Sequence, residues 1–356
     1  MKNVKRYRRA LEKEGNTAEA AKFDFLPVSF VLPSEYSMFV EEFKRNPGST
    51  FIAKPIGRAQ GRGIFLFNRL SQISDWKKDA KWKADGQQQQ ESYIAQRYID
   101  RPYLIGGKKS DVRLYVLVVN YSPLQIYLHR GGFARFSGFR YSNNDISNNF
   151  VHLTNVAIQK THEDYVASAG CKWMLRDVRL YLESRHGSDA VAQLFYDIQM
   201  LIVRSLICVQ KTIINQKNSF ELYGYDILFD ADLKPWLIEV NASPSLSAEN
   251  KPDYDMKYGM LDDMVSVLNI EKDIGPLEEQ VGGFDLIWNN GPVRNERTGA
   301  VNSFLGTFND REANLKRIRK AWAIEQQKQK LREEQEAQQA RASTTTSSRI
   351  RPGSRQ

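Results

Sequence analysis

Two apolar runs between residues 225 and 241 are each interrupted by an acidic residue, and this pattern limits the possible fold more than any other. Asp226 interrupts the run Tyr-Asp-Ile-Leu-Phe, and Glu239 interrupts Trp-Leu-Ile-Glu-Val-Asn, with a turn-forming segment between the two runs. The pattern predicts two adjacent antiparallel strands joined by that turn. Glu239 and Asn241 would share one face of their strand because side chains alternate, and Asp226 would approach from the neighbouring strand.

These three side chains form a set of hard oxygen ligands of the kind that Mg²⁺ prefers. A carboxylate inside an apolar run is costly to bury without a cation. The residues alone therefore favour a magnesium site, which in proteins usually also includes phosphate oxygens and water. The alternative is that Asp226 and Glu239 are ordinary acids at strand ends.

A glycine-rich segment between two further strand patterns is a candidate phosphate-binding loop. Gly57, Gly61 and Gly63 follow Lys54 in this segment. Glycines let the backbone approach a phosphate closely, and a lysine can neutralise its charge. No Lys-Ser/Thr pair follows, so the segment does not match the phosphate loop G-x-x-x-x-G-K-[ST]. The pattern of strand, loop and strand predicts a flap that folds over phosphates, or else an ordinary hairpin with a flexible tip.

Two shorter polar segments are weaker candidates for chemistry. Lys109, Asp111 and Arg113 open the most apolar strand pattern of the chain, and could clamp a phosphate or a carboxylate. Lysines at strand edges also serve solubility, which is the alternative. His152 belongs to the polar tetrad His-Leu-Thr-Asn, where it could act as a base, but a lone histidine of this kind is more often a structural hydrogen-bond donor.

Periodicity and turn residues predict the remaining elements. Helices are predicted over 1–22, 33–45 and 173–214, the last broken at His186-Gly187. Strands are predicted over 51–55, 64–67, 93–99, 111–119 and 124–129. The strand at 111–119 is apolar enough to be central in its sheet. Gln87 to Gln90 predict a mobile polar insert. Order is expected to fall beyond about residue 270, with a helix over 311–342 and disorder from Ser343.

The net charge of +9 is concentrated at the two ends of the chain. Residues 1–22 contain seven Lys or Arg and three Asp or Glu, residues 311–356 contain twelve and five, and the remainder is left at about −2. Basic ends favour a polyanionic partner such as nucleic acid, membrane or an acidic protein surface, although solvated helices are an equal alternative.

Two distant cysteines exclude a disulfide scaffold or zinc module, and no apolar run reaches roughly 18 residues, so a soluble cytosolic protein is predicted.

A series of short motifs follows one another along the chain: Lys54-Pro, Gly61-Arg-Gly63-Ile, Gln96-Arg-Tyr-Ile99, Leu104-Ile-Gly-Gly-Lys, Asp111-Val-Arg113-Leu-Tyr, His152-Leu-Thr-Asn155, Tyr225-Asp226-Ile-Leu and Lys234-Pro-Trp-Leu-Ile-Glu239-Val-Asn241-Ala-Ser-Pro-Ser. Through these motifs and their order, the sequence from Lys54 to about Asn269 resembles the tubulin tyrosine ligase-like family of ATP-grasp ligases. Some family members are presumed tubulin polyglutamylases of cilia and flagella, and three further segments resemble those members: Val4-Lys-Arg-Tyr-Arg-Arg, 151–160 and Val281-Gly-Gly-Phe-Asp-Leu-Ile-Trp288.

The resemblance implies roles for individual residues. Arg113 would steady the transferring phosphoryl group, and Arg135 and Lys172 would bind carboxylates of the incoming amino acid. Mg²⁺ would be held by Asp226, Glu239 and Asn241. The ATP-binding set would be Lys54, Gln60, Gly61, Arg62, Gly63, Gln96, Arg97, Tyr98, Ile99, Lys109, Ser110, Asp111, Thr154 and Asn155, with Gln60 also near the acceptor peptide. Two of these depart from the family pattern: Arg62 stands where many relatives have lysine, and Ser110 replaces the usual aromatic residue.

The implied fold is of the α/β (α+β) class, an ATP-grasp fold in which two lobes with largely antiparallel sheets hold the nucleotide. It predicts a remnant of an N-terminal lobe with a basic helix over 1–49, since the family normally begins with an additional lobe. A central lobe with the glycine-rich flap would follow over 50–105, a C-terminal lobe with the Mg²⁺ site over 106–270, and a basic tail, helical then disordered, over 271–356.

The implied activity is that of an ATP-dependent tubulin polyglutamylase. It would ligate free L-glutamate to glutamate side chains in the acidic C-terminal tails of tubulin, through an acyl phosphate. The predicted partners are microtubules and accessory subunits, without nucleic acid or membrane, and the predicted location is the cytoplasm and cytoskeleton, including the ciliary or flagellar axoneme and basal body. The alternatives are a family ligase that uses glycine or tyrosine, a non-catalytic axonemal adaptor, and a nucleic-acid-binding protein.

Overall fold

Strand patterns and helical patterns alternate along this chain, and in the computed structural model they form two mainly antiparallel sheets with helices around them. The structure describes residues 1–58, 60–73, 92–163, 172–216, 219–293 and 303–348, with side chains described as far as Arg341. The helices are α1 Lys2–Lys13, α2 Thr17–Ala21, α3 Tyr36–Arg45, α4 Asn149–His152, α5 Val156–Gln159, α6 Leu175–His186, α7 Ser188–Gln210, α8 Lys251–Leu268 and α9 Arg311–Ser348. The strands are β1 Ser29–Leu32, β2 Phe51–Pro55, β3 Phe65–Phe67, β4 Tyr93–Arg97, β5 Leu104–Ile105, β6 Lys108–Tyr121, β7 Leu124–Phe136, β8 Lys172–Met174, β9 Glu221–Phe229, β10 Pro235–Asn241, β11 Gln280–Val281 and β12 Phe284–Asn289.

The smaller sheet has four strands in the order β1-β4-β2-β3. Helix α3 covers it through a cluster of phenylalanines, in which Phe39 meets Phe51 and Phe67 edge to face with ring centroids 5.3 and 5.9 Å apart. Such contacts combine burial of large apolar area with favourable ring geometry. Because β1 and α3 belong to this layer, residues 29–45 are part of the smaller sheet's lobe, and the predicted boundary at residue 49 cuts through it.

The larger sheet has the order β10-β9-β6-β7-β12-β11, with β5 pairing on β6 and β8 on β7. The prediction that the most apolar strand is central is confirmed, since β6 pairs with both β7 and β9. Alternate residues of β6 enter different cores: Leu114 and Val116 join the core with α7, and Tyr115 and Leu117 join the core with Met260 of α8. A strand covered on both faces needs apolar residues at successive positions, which explains its unbroken pattern.

Helices α6 and α7 confirm the predicted helical region and its break. Gly187 lies between them with φ of 81°, a left-handed value that glycine adopts without strain. Helix α7 is the one described helix that is long and apolar enough to cross a bilayer. It is instead a central helix of the main core, with buried residues such as Leu194, Ile198 and Ile202 packed under the larger sheet.

The chain beyond residue 270 is more ordered than its composition predicted. Strands β11 and β12 extend the larger sheet, and Arg130 of β7 binds Asp285 of β12 through two hydrogen bonds of 2.6 Å. Leu315 and Ile318 fix the start of α9 in a small apolar core. Helix α9 continues through 343–348, where disorder was expected, because strong helix formers precede this Ser/Thr segment without a break. The predicted mobile insert at Gln87 to Gln90 lies outside the described residues.

Candidate active site

A cleft of about 730 Å³ lies between the two sheets. Strands β2 and β4 and the glycine-rich loop line one side, and strands β6, β7, β9 and β10 line the other. Its volume is in the range that holds nucleotide-sized ligands. All of the predicted site residues line this cleft except Gly63 and Ser110. The fold therefore brings together residues that are spread over most of the chain.

The acidic pair predicted on neighbouring strands is found in register. Glu239 of β10 lies directly opposite Asp226 of β9, and Asp226 lies opposite Arg113 of β6, so the three form one row across the sheet. A bulge between Leu237 and Glu239 sets this register. Charged residues in register across strands are close enough to interact directly.

Asp226 is enclosed by two arginines. Arg113 binds both of its carboxylate oxygens, with Nη2 at 3.0 Å from Oδ2, and Nη2 of Arg135 lies 2.8 Å from Oδ2. Burial by itself would raise the pKa of Asp226, but Arg135 and Arg113 outweigh it and hold that pKa below its usual value. Asp226 is therefore an ionised carboxylate at neutral pH.

Arg135 also joins a second buried carboxylate to this group. Its Nε donates to Oδ1 of Asp111 at 2.8 Å and its Nη2 to Oδ2 at 2.6 Å. The hydroxyl of Thr154 donates to the same carboxylate at 2.9 Å. The structure therefore uses Arg135, for which the sequence predicted contact with the amino acid, to bind two carboxylates of the protein itself.

Glu239 and Asn241, unlike Asp226 and Asp111, have side-chain oxygens that are available to a cation. In the described part of the chain, no basic side chain forms an ion pair with Glu239, and its pKa is raised by burial and by Asp226. The amide nitrogen of Asn241 donates to the carbonyl of Gly224 at 3.2 Å, which leaves the amide oxygen outside that bond. A cation bound here would relieve the cost of the Glu239 charge, so the donor set fits Mg²⁺. No group of three His, Cys, Asp or Glu residues that could hold a metal occurs among the described residues.

Lys54 enters the cleft from β2 and is held from behind by a hydrogen-bond chain. Its Nζ donates to Oε1 of Gln96 at 2.7 Å, and Nε2 of Gln96 donates to Oγ of Ser29 at 3.0 Å. Burial lowers the pKa of Lys54 to about 8, although nearby acids oppose this. The sequence predicted a backbone role for Gln96, and the structure adds this side-chain role, which aims the ammonium group into the cleft.

Lys109 is held by a second buried chain that contains the histidine of the polar tetrad. Its Nζ donates to the hydroxyl of Tyr98 at 3.0 Å and to the carbonyl of His152 at 2.8 Å. Nδ1 of His152 lies 3.0 Å from the same hydroxyl, and its Nε2 lies 2.9 Å from the carbonyl of Asp145. His152 is fully buried, so the structural interpretation is confirmed and the role of base is not supported. Burial also lowers the pKa of Lys109 to about 7.

The glycine-rich loop closes against α5. Gly61 has φ of 78°, and a Cβ placed on it would lie 2.5 Å from Cδ1 of Ile158. The positive φ favours glycine at this position, and a larger residue would also require the Ile158 side chain to shift. Gly63 turns the loop back towards Pro55 and does not line the cleft, so its predicted contact with phosphate is not supported.

Two further predicted contacts differ in the structure. Ser110 is buried on the face of β6 opposite Lys109 and Asp111, because successive strand residues face opposite sides. Ser110 therefore does not line the cleft, and the prediction that it binds the nucleotide is not supported by this geometry. The side chain of Arg97 forms an ion pair with Glu42 of α3, so any contact of Arg97 with a nucleotide would come mainly from its backbone.

Lys172, which the sequence predicted at the site, lines the cleft within a charged group whose other members the sequence did not predict. Lys172 lies 3.0 Å from both Glu249 and Asp253, Lys257 lies 2.9 Å from Asp253, and Lys160 lies 2.8 Å from Glu249. The spacing of Asp253 and Lys257, one helical turn apart, is a signal that could have predicted one of these pairs. The others join segments that are distant in the sequence.

Comparison with known proteins shows which family and which proteins this chain resembles. The profile of the tubulin-tyrosine ligase family matches residues 1–274. The probable tubulin polyglutamylase TTLL9 of Bos taurus is 49% identical over 354 aligned residues, which cover 89% of this chain and 77% of the bovine protein. The probable tubulin polyglutamylase ttll-9 of Caenorhabditis elegans is 48% identical over 291 residues, which cover 82% of this chain and 69% of the worm protein. The human tubulin polyglutamylase TTLL5 is 38% identical over 263 residues, which cover 69% of this chain and 19% of the human protein.

Proposed function

The chain belongs to the tubulin-tyrosine ligase family, and from this premise we propose that it is an ATP-dependent tubulin polyglutamylase. The mixed α+β architecture with antiparallel sheets agrees with the ATP-grasp class expected of such a ligase. In this proposal the enzyme ligates free L-glutamate to glutamate side chains in tubulin C-terminal tails. The names of the similar bovine, worm and human proteins support the choice of tubulin as substrate.

One observation carries the proposal: opposed charges from both sheets converge on a single cleft. Lys54 and Lys109 enter from opposite sheets, and both are positioned by hydrogen bonds to other side chains or to the backbone. Glu239 and Asn241 line the same cleft from β10, which belongs to the sheet that carries Lys109, and their oxygens are available to a cation. Lysines that face a metal-binding set are what a polyphosphate bound with Mg²⁺ requires.

The proposed reaction has two steps, and the residues of this cleft serve both. A carboxylate oxygen of the acceptor glutamate attacks the γ-phosphorus of ATP, the bond to the β-phosphate oxygen breaks, and ADP leaves. The amino group of the incoming glutamate then attacks the acyl carbon, loses a proton, and phosphate leaves. Bound at Glu239 and Asn241, and beside Asp226, Mg²⁺ would supply charge neutralisation to the phosphates.

The protein's own side chains would position the reactants and stabilise charge. Lys54 and Lys109 would neutralise the phosphate oxygens, and Arg113, fixed by Asp226, would face the transferring group. The glycine-rich loop closed against α5 would exclude water from the acyl phosphate. Such a reaction depends on positioning and electrostatics and does not require a nucleophile from the protein.

The remaining features of the proposal concern specificity and location. The lysines around Lys172 favour an amino acid with an additional carboxylate, and hence glutamate over glycine or tyrosine. The basic segments 1–22 and 311–320 would favour acidic tubulin tails through long-range attraction. Action at axonemes and basal bodies of cilia or flagella, and a need for accessory subunits, are part of the same proposal.

The test is incorporation of labelled glutamate into microtubules in the presence of ATP, Mg²⁺ and axonemal extract. Glu239→Gln should abolish incorporation, because it removes the unpaired carboxylate that the cation requires. Glu221→Gln, an acid-to-amide change at an exposed position of the neighbouring strand, is the matched control and should retain activity. Equal incorporation by wild type and Glu239→Gln would refute the proposal. Microtubule binding without incorporation by any form would indicate an adaptor instead.

A further inference from the structure

Glu249 places its carboxylate between two lysines at the end of the cleft. Its Oε1 lies 2.8 Å from Nζ of Lys160, and its Oε2 lies 3.0 Å from Nζ of Lys172. Both lysines and Glu249 line the cleft that also contains Glu239. A pair of ammonium groups that binds the two oxygens of one carboxylate is, by its chemistry, a carboxylate-binding site.

The other acid of this group is bound differently. Asp253 is 2% exposed and accepts hydrogen bonds from Lys172 and from the backbone nitrogen of Glu249. It forms an ion pair with Lys257 at 2.9 Å, and its own backbone nitrogen is capped by Asn250. Asp253 is therefore a fixed part of the N-terminus of α8. It is the structural counter-ion that keeps Lys172 and Lys257 in place.

Glu249 lacks such a fixed environment. Its side chain is 25% exposed, and the ion pairs that hold it are those with Lys160 and Lys172. It lies in the irregular segment 242–250 between β10 and α8, where no regular hydrogen-bond ladder fixes the backbone. Lys160 is itself half exposed, so solvent reaches this pair. The pair with Lys160 is therefore of the exposed kind that is weak and exchanges readily, whereas the pair with Lys172 is mostly buried.

Charge favours replacement of Glu249 by an external carboxylate. Lys160 and Lys172 both contact Glu249, and Lys172 also contacts Asp253, so Glu249 supplies a carboxylate that two ammonium groups of the cleft share. Outward rotation of Glu249 would remove that carboxylate from both ammonium groups. A free amino acid with a carboxylate would restore the balance, and the site already has the geometry to receive one.

We propose that Glu249 occupies the carboxylate position of the incoming amino acid and must leave it before that substrate binds. This inference rests on the proposed ligase function and deepens it, because it assigns an internal competitor to the same site. It predicts that Glu249 weakens amino-acid binding while it leaves nucleotide binding unchanged. The same competition would raise the concentration of glutamate that the enzyme needs.

The experiment compares wild type with Glu249→Gln, which keeps the shape of the side chain and removes its charge. The KM for glutamate should fall by roughly three- to tenfold, which matches the loss of two partly exposed ion pairs to the competitor. The KM for ATP should stay the same, and kcat should change less than about twofold. Titration of glutamate into the protein with a non-hydrolysable ATP analogue should give the same fall in Kd.

Two further variants make the result specific. Asp255→Asn is the matched control, since Asp255 lies near the start of α8, is exposed, and pairs with Lys251 outside the cleft. It should leave the KM for glutamate unchanged. Lys160→Gln should raise that KM, because it removes one of the two cations that receive the carboxylate.

The outcomes separate this inference from the proposed function. An unchanged or higher KM for glutamate in Glu249→Gln, with wild type active, would mean that Glu249 positions Lys172 rather than competes with substrate, and would overturn the inference alone. An inactive wild type would count against the proposed function, and the binding titration would then decide the inference. Failure of glutamate to bind either form at millimolar concentration would overturn it.

Discussion

Two lysines of the cleft, Lys109 and Lys54, predict how nucleotide affinity depends on pH. Burial lowers the pKa of Lys109 to about 7 and that of Lys54 to about 8, from an ordinary value of 10.5. A bound polyphosphate stabilises the ammonium forms and raises both pKa values again. Binding must therefore take up protons, and affinity must rise as pH falls through this range.

The magnitude follows from these pKa values. At pH 8 about 0.9 of the Lys109 side chains and about 0.5 of the Lys54 side chains are neutral before binding, so roughly one and a half protons are taken up. Integration between pH 8 and pH 7 gives an affinity about tenfold higher at pH 7. In Lys109→Met only Lys54 contributes, and the same pH change should raise affinity about twofold.

The assay is isothermal titration of ATP with Mg²⁺ at pH 7 and pH 8, repeated in buffers with different ionisation enthalpies to count the protons. Lys108→Met is the matched control, because Lys108 is the adjacent lysine of β6 and does not line the cleft. It should keep the tenfold dependence of wild type. Equal pH dependence in Lys109→Met and wild type, or binding without proton uptake, would refute the assignment of Lys109 to the phosphates.

Four further predictions concern stability and the loop. Arg135→Met should lower the free energy of unfolding by about 3–5 kcal/mol in urea denaturation, because it leaves two buried carboxylates without their shared partner; a loss below about 1 kcal/mol would contradict this. Gly61→Ala should raise the KM for ATP more than Gly57→Ala, since both have positive φ but only Gly61 meets a side chain, at 2.5 Å. Arg311→Met should cost about 1–3 kcal/mol in the same assay, because it removes a partner of a fully buried carboxylate in α8. Burial lowers the pKa of His129 from 6.5 to about 4, so the folded state binds fewer protons and the melting temperature should fall as pH drops between these values, less so in His129→Phe.

Local pattern predicted much of the secondary structure and the core of the site. The hairpin of β9 and β10 and the shared face of Glu239 and Asn241 follow from strand periodicity and a turn. The break at Gly187 follows from a residue that leaves the helix at no steric cost. The same periodicity places Ser110 on the face opposite Lys109, so its absence from the lining of the cleft could also have been predicted from the sequence. The strand at 284–289 also has a recognisable apolar pattern, which the low order expected beyond residue 270 obscured.

Other features could not be predicted because they depend on distant segments that meet only in the folded chain. Gln96 aims Lys54 from 42 residues away, and Glu249 reaches Lys160 and Lys172 across separate loops. Residue type alone gives no signal for such pairs. Whether an exposed acid faces a lysine of the site or only solvent depends on the path of the loop that carries it.

Local sequence accounts for which elements form and which residue types are available to the site, because helical and strand periodicity, glycine conformations and buried acids act over a few neighbouring residues. Which charges meet depends on the folded arrangement of the strands. Arg113 binds Asp226 across 113 residues and Arg135 binds Asp111 across 24, and both contacts depend on the register of β6 with its neighbours. Because a shift of one residue would turn these side chains to the other face of the sheet, strand register decides whether acids and bases of this chain form a site.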